Sequence, residues 1–437
     1  MKILLITDEI WNDSIHGNNV LSNWFDGFDA EFANICCCPG LPENNCCDKY
    51  FQITDSMMLK SILKGKRAGR ILSKTERWKP GELAYNSTDI GGISFLRKHF
   101  GNIYFGNILR LFKTIVWNFG KYDTELLEKF VKDYNPDIIF SPRYAHSKIL
   151  RLEKEVMKYT KAPIVAFTGD NEYSLRRFSF SPVLWCNLFY QRHVLKKMMP
   201  NYSMYYTLSA EQKAEYEKAF KNLNVKVLMK CGDFTDEYAS KSINRPIKII
   251  YAGKIYSKRW ETLAKIGECL KTINTDSVKM ILDIYTRDTI SKKQRKKLHD
   301  GRNIFLKGGV APSELEDIYK NADIALHVES FAFKYRYSTR VSFSTKIIDC
   351  LASSCAVMAV AWREHSGLTY LKREDAAICV DDLDDMHRVL SDLCKYPEKI
   401  EEYRKKAWEC GRRNHTRKDV QHMLYRDFES VMNKHTG

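Results

Sequence analysis

At 437 residues, with 44% hydrophobic and 12% aromatic side chains, the chain is long enough to bury a large core and to divide into two domains. That composition excludes a disordered chain, and no run approaches the roughly 20 apolar residues needed to span a bilayer. The formal net charge of +16 directs attention to anionic ligands and anionic surfaces.

In chain order, the first expected strand is Lys2–Thr7, a short apolar run without the longer apolar core and small-residue cleavage site of a signal peptide. A cytoplasmic protein is expected. The polar loop Asp13-Ser-Ile-His-Gly-Asn-Asn-Val20 follows and leads into an amphipathic helix over Asn18–Phe28. Backbone N–H groups at such a junction attract an anion, so His16, Gly17 and Asn18 are candidates for an acceptor or phosphate loop. For His16 alone, an ordinary loop role is the simpler reading.

Thirteen cysteines come next, five of them crowded at Cys36, Cys37, Cys38, Cys46 and Cys47. Adjacent cysteines rarely give tetrahedral geometry, and the cluster lacks the paired spacing of a zinc site, so reduced thiols and no metal are expected.

From Lys60 to Gly120 there are twelve Lys or Arg against three acids, interleaved with Ile, Leu, Phe and Trp. Basic and amphipathic composition suits an anionic membrane surface, where each cation adds on the order of 1 kcal/mol. A solvated face over an ordinary helical core is the competing reading. Nucleic acid is a weaker one, without zinc-finger spacing or an RRM-type aromatic signature.

The first half continues with helices at Thr124–Tyr134 and Glu211–Phe220 and strands at Ile138–Ser141, Ile164–Thr168 and Tyr205–Leu208. Arg143 and His146 follow one strand. Phe167-Thr-Gly-Asp-Asn-Glu-Tyr173 follows another, where Asp170 could take the proton of an acceptor hydroxyl, with Glu172 as a substitute. An Asx-type turn accounts for the same residues equally well. A polar stretch at Tyr238–Pro246 then reads as a linker.

The second half restarts the alternation. Strands are expected at Ile247–Tyr251, Lys279–Tyr285, Ile304–Lys307, Ile324–Val328 and Ala356–Val360. Helices are expected near Trp260–Lys271, Ser291–Leu298 and Pro312–Asn321, from Thr345, and from about Leu383 onward. The resulting organisation is 1–240, 241–415 and a closing helix, 416–437, that packs back on the first domain. Doubly wound domains bind ligands at the carboxyl ends of their strands.

Two of those ends carry chemistry. After the first strand of the second half, Gly253 would let backbone approach a ligand, and Lys254 and Arg259 place cations beside it, suited to a diphosphate gaining charge as its sugar leaves. Later, the turn Ser342-Phe-Ser344 enters a helix through Thr345 with Lys346 and Asp349. Such a turn offers N–H groups to phosphate, and an acid there can reach a ribose hydroxyl.

These motifs, in the order Gly253-Lys254 to Arg259, Gly308 to Tyr319, Asn321 to Ser330 and Ser342 to Asp349, resemble the donor half of the large retaining glycosyltransferase family four over about residues 247–365. The resemblance implies an α/β GT-B fold, two Rossmann-like doubly wound domains facing a central cleft. It implies Lys254 and Arg259 as a diphosphate-binding pair, backbone contacts from Ser344 and Thr345, and Asp349 on the donor ribose. Lys346 adds a phosphate or sugar contact, as in capsule and surface-polysaccharide transferases. Val341 stands where the family has its first Glu. The co-substrate would be a nucleotide-diphosphate sugar, the acceptor a glycan or lipid-linked glycan on the inner membrane face, and the transfer retaining, without a metal. An inverting transferase, an epimerase, or a non-catalytic membrane-docking protein that binds sugar or nucleotide are the alternatives.

Overall fold

A computed structural model describes residues 1–14, 20–73, 102–143 and 147–436. The chain forms two compact units. The first contains Met1–Leu175, Ser179–Leu228 and Gln421–Gly437, the second Arg176–Phe178 and Met229–Val420.

In the first unit the strands are β1 (Lys2–Thr7), β2 (Glu31–Cys36), β3 (Cys47–Gln52), β4 (Arg70–Ser73), β5 (Ile138–Arg143), β6 (Ile164–Thr168), β7 (Tyr202–Thr207) and β8 (Val225–Val227). They form one sheet in the order β4-β3-β2-β1-β5-β6-β7-β8, parallel except for the β3–β4 edge pair. Leu4 lies opposite Ala33 on one side and Ile139 on the other, and all three are fully buried. Burial on both faces explains why these strands are continuous apolar runs.

The helices between strands begin on side-chain caps. Thr54, Asp123, Ser181 and Ser209 each accept a hydrogen bond from the backbone N–H three residues on. The strand order reverses between β1 and β5, the switch point of this sheet.

Four first-half strands, β2, β3, β4 and the three-residue β8, lie outside the sequence expectation. β2 and β3 carry part of the cysteine cluster, and there the thiols behave as small core groups: Cys36, Cys37 and Cys47 are buried, with Cys47 Sγ 3.4 Å from the Phe32 carbonyl. Burial pushes their thiol pKa values up, the opposite of what a metal-binding thiolate needs. β4 is a short antiparallel edge strand. The first helix is described over Val20–Phe25 and ends before the expected Phe28, while Asn18, its expected start, lies outside the described residues.

The second unit holds β9 (Ile247–Ala252), β10 (Met280–Tyr285), β11 (Ile304–Gly308), β12 (Ile324–Val328), β13 (Ala356–Val360) and β14 (Ile378–Val380). Their order is β11-β10-β9-β12-β13-β14, all parallel, with the reversal between β9 and β12. The Tyr238–Pro246 stretch is tied down within this unit. Tyr238 donates to Glu401, Lys241 to the Tyr319 and Lys320 carbonyls, and Asn244 to Asp323. The division between units therefore falls ahead of it, at Leu228–Met229. The helix Arg417–Thr436 enters the first unit at Gln421, where it donates to the Trp24 and Asp26 carbonyls. Farther along, Asp427 accepts from Tyr206 and Phe428 packs on Phe140.

Candidate functional site

The carboxyl ends of β9 and β12, at the switch point of the second sheet, carry a cluster of charged side chains. β9 ends at Ala252, and Gly253 donates its N–H to the Tyr285 carbonyl at the end of β10. The loop then turns sharply: Ser257 and Lys258 both take left-handed backbone conformations (φ 55° and 65°), an arrangement that costs non-glycine residues energy. Its product is the helix Arg259–Ile273, with Arg259 as its first residue.

Arg259 is held by an acid that the sequence reading did not assign. Its Nε donates to Glu329 Oε2 at 2.9 Å and an Nη to Glu329 Oε1 at 2.7 Å, a parallel two-bond pair. Glu329 directly follows β12 and is 4% exposed, while Arg259 is 17% exposed. Burial alone would push the Glu329 carboxyl up. The charges of His365 and Arg259, the latter reinforced by its hydrogen bonds, outweigh burial and keep the carboxyl below its usual range. A signal for Glu329 does exist in the sequence: an acid at the carboxyl end of a wholly apolar strand.

At Gly253 a Cβ would lie 1.8 Å from Lys346 Nζ, so the missing side chain makes room for the lysine ammonium. Lys346 is the first residue of the helix Lys346–Leu351, and its Nζ sits 5.8 Å from the centre of the Tyr251 ring. Burial, then the nearby Arg259 charge, brings its pKa down to about 8. Tyr251, buried on β9, donates to the Lys254 carbonyl at 2.6 Å. Lys254 itself is exposed, and it and Arg259 flank the exposed Tyr256 ring at 5.8 and 5.1 Å. Neither Lys254 nor Lys346 forms an ion pair among the described residues.

Ahead of the Lys346–Leu351 helix, Phe343 is buried against Tyr370, while Ser342, Ser344 and Thr345 are half-buried. Ile347 and Ile348 close the first turn on the Ser344 and Thr345 carbonyls, which leaves the earlier N–H groups outside that turn. Asp349 is already paired: Lys230 donates to its Oδ1. Lys230 is a second residue that the sequence reading did not single out. Val341 is buried at 1% exposure. Among the described residues, no group of three or more His, Cys, Asp or Glu side chains is placed to hold a metal ion.

Asp170 belongs to the first unit. Its carbonyl accepts from Gln212 and Thr168, and the neighbouring Asn171 side chain accepts from the Ser174 N–H, so this turn is built as an Asx-type motif. Glu172 is buried. His16, Gly17, Asn18 and His146 lie outside the described residues, as does the middle of the basic stretch, 74–101.

The rest of that stretch presents apolar groups outward. On the helix Asn102–Phe119, Leu111, Phe112, Ile115 and Phe119 are exposed along one side, and Ile62 and Leu63 are exposed on the helix Asp55–Leu63 that packs beside it. Lys60, Lys64, Lys66, Arg110 and Lys121 are exposed nearby in the chain. Among the described residues, no helix is long and apolar enough to cross a membrane.

Comparison with known proteins agrees with this architecture. Residues 278–424 match the family model described as glycosyl transferase-like. Among solved structures, HepE from Anabaena in complex with UDP superposes with a TM-score of 0.62 at 10% identity, over 98% of this chain and 100% of that one. Sucrose-phosphate synthase from Thermosynechococcus elongatus gives 0.61 at 11%, over 99% and 100%. A UDP-forming α,α-trehalose-phosphate synthase from Burkholderia xenovorans gives 0.58 at 11%, over 98% and 100%. The fold is GT-B. No curated protein matches the sequence at a significant level.

Proposed function

We propose that the chain is a glycosyltransferase that takes its sugar from a uridine-diphosphate donor held by the second unit. The observation that carries this reading is the excess of cations at the β9 and β12 ends. Lys254, Arg259 and Lys346 converge on a loop with Glu329 as their buried counter-charge, and a diphosphate supplies the missing anions. The glycosyl transferase-like match over residues 278–424 supports it, and the complexes of HepE with UDP make uridine the base to try first.

In this reading Lys254, Arg259 and Lys346 stabilise the departing diphosphate, aided by N–H groups of Ser344 and Thr345. Asp349 exchanges Lys230 for a ribose hydroxyl. The leaving diphosphate takes the acceptor's proton on the same face, so the anomeric configuration is retained and no protein nucleophile is required. Asp170 is the candidate for holding the acceptor hydroxyl.

The acceptor we propose is a lipid-linked glycan of surface-polysaccharide synthesis. The exposed Leu111, Phe112, Ile115 and Phe119, with cations beside them, favour an anionic membrane surface. Sedimentation with phosphatidylglycerol vesicles checks this part: binding that is lost in high salt and in Phe112→Ser/Phe119→Ser is expected, and equal binding to neutral vesicles would refute it.

The donor assignment is tested by a thermal-shift screen against UDP, GDP, CDP and ADP. Selective stabilisation by UDP, lost in Lys254→Ala, is the expected result. Stabilisation by another diphosphate would keep the enzyme class and change the base, whereas no shift with any of them would favour a non-catalytic protein.

A further inference from the structure

The donor reading uses the buried Glu329 only as a counter-charge. Glu329 is fixed from both sides through its backbone: its N–H donates to the Val360 carbonyl at the end of β13, and its carbonyl accepts from Thr262 Oγ1 at 2.8 Å, in the first turn of the Arg259–Ile273 helix. Its carboxylate is therefore presented by a strand end and a helix, and the two parallel bonds to Arg259 leave that guanidinium one orientation. They use Nε–H and one Nη2 hydrogen, so Nη1 and the outer Nη2 hydrogen remain for a ligand.

We propose that Glu329 is a positioning residue of the donor site, which aims the remaining N–H groups of Arg259 at the donor diphosphate and sets the charge balance around Lys346. This rests on the donor reading above. It also assigns the acidic side of the site to position 329, where the family resemblance had pointed to 341 and found only the buried Val341.

The electrostatics agree with the geometry. The groups facing Lys346 are the Tyr251 ring from β9, Arg259 from the following helix, His327 and Glu329 from β12 and its end, and Asp349 and Cys350 on its own helix. Burial and Arg259 lower the lysine's proton affinity, whereas Glu329 raises it. His327 is buried and held neutral, its pKa brought down to about 3 chiefly by burial, so it adds no cation at neutral pH. Its Nε2 lies 4.0 Å from Glu329 Oε1 without a hydrogen-bond partner among the described residues. Glu329 is thus the buried negative charge between Arg259 and Lys346, which would otherwise repel each other, and His365, from the loop after β13 and 6.1 Å from the His327 ring, is a further titratable group acting on it. Without Glu329, Lys346 would deprotonate at lower pH and lose its attraction for a diphosphate.

The test measures UDP affinity by calorimetry as a function of pH for the wild type, Glu329→Gln, Arg259→Lys and the double variant, with near-UV circular dichroism as the control for folding. Glu329→Gln should weaken UDP binding roughly tenfold and move the alkaline loss of binding to lower pH, a shift that a merely structural role would not give. In the Arg259→Lys background the same substitution should cost less than about twofold more, because the two act as one unit. Glu329→Asp keeps the charge but shortens the reach, so it should weaken binding while leaving the pH midpoint in place, and it serves as the readout if Glu329→Gln fails to fold. Fully additive losses, or a folded Glu329→Gln with wild-type affinity and midpoint, would overturn the proposal and leave the donor reading standing. A wild type that binds no UDP at any pH would overturn both.

Discussion

The carboxyl edges of the two sheets treat charge in opposite ways. In the first unit, Asp8 after β1 pairs with Lys148, and Asp55 pairs with Lys113 at 2.7 Å while accepting from Trp117 Nε1. These residues are mostly buried, and Lys148 also donates to the Cys37 carbonyl. Each cation in that network has its acid. In the second unit, Glu329 and Asp349 are matched by Arg259 and Lys230, while Lys254 and Lys346 have no acid of their own among the described residues. A closed network stiffens a fold. An open one with surplus positive charge holds its cations ready for an anion, at the cost of their mutual repulsion.

The largest effect that should separate the two is Arg259→Ala. Transfer should fall by roughly 100-fold or more, since a donor aimed at developing charge is lost, and the orphaned Glu329 should also lower the melting temperature. The contrasting substitution in the first unit, Asp8→Ala, should cost about 3 kcal/mol of stability in chemical denaturation, yet leave UDP affinity unchanged. A loss of UDP affinity there would break the comparison.

Gly253→Ala sharpens it. The new methyl takes the place of the Lys346 ammonium, a flexible end that can swing away, so UDP affinity should drop roughly tenfold while the melting temperature hardly moves. Titration offers a smaller effect of known sign. Lys346, with its pKa near 8, binds a diphosphate only when protonated, so above neutral pH, where the terminal phosphate of UDP is already fully ionised, affinity should decline several-fold as pH rises through about 8. Lys346→Arg should abolish that decline. The smallest change expected is a gain: Lys258→Gly relieves a left-handed backbone and should stabilise the fold by about 1 kcal/mol in denaturant titrations.

How much of this the sequence disclosed follows from the range of each signal. β12 and β13 are wholly buried and β1 is buried past Lys2, so continuous apolar runs announced them. β2 and β3 were obscured because Asn34, Asp48 and Lys49 interrupt their apolar pattern and their cysteines suggested other chemistry. At the candidate site, the local motifs drew attention to Lys254, Arg259, Lys346 and Asp349. Their partners were invisible, because Glu329 and Lys230 meet Arg259 and Asp349 only through the packing of distant elements. The same holds for Gly253: its reason is the end of a lysine side chain from another helix, which no spacing rule records.

The helix Arg417–Thr436 carries a consequence for the order of assembly. Its residues from Gln421 onward belong to the first unit, where Asp427 meets Tyr206 and Lys226 and where Phe428 fills space beside Phe140 and Phe28. During synthesis these side chains emerge only after the whole of the second unit has been made. The first unit therefore waits, incomplete, with an apolar vacancy that a chaperone or a neighbouring nascent chain can enter, and the half of the molecule that is translated first is the half that finishes last.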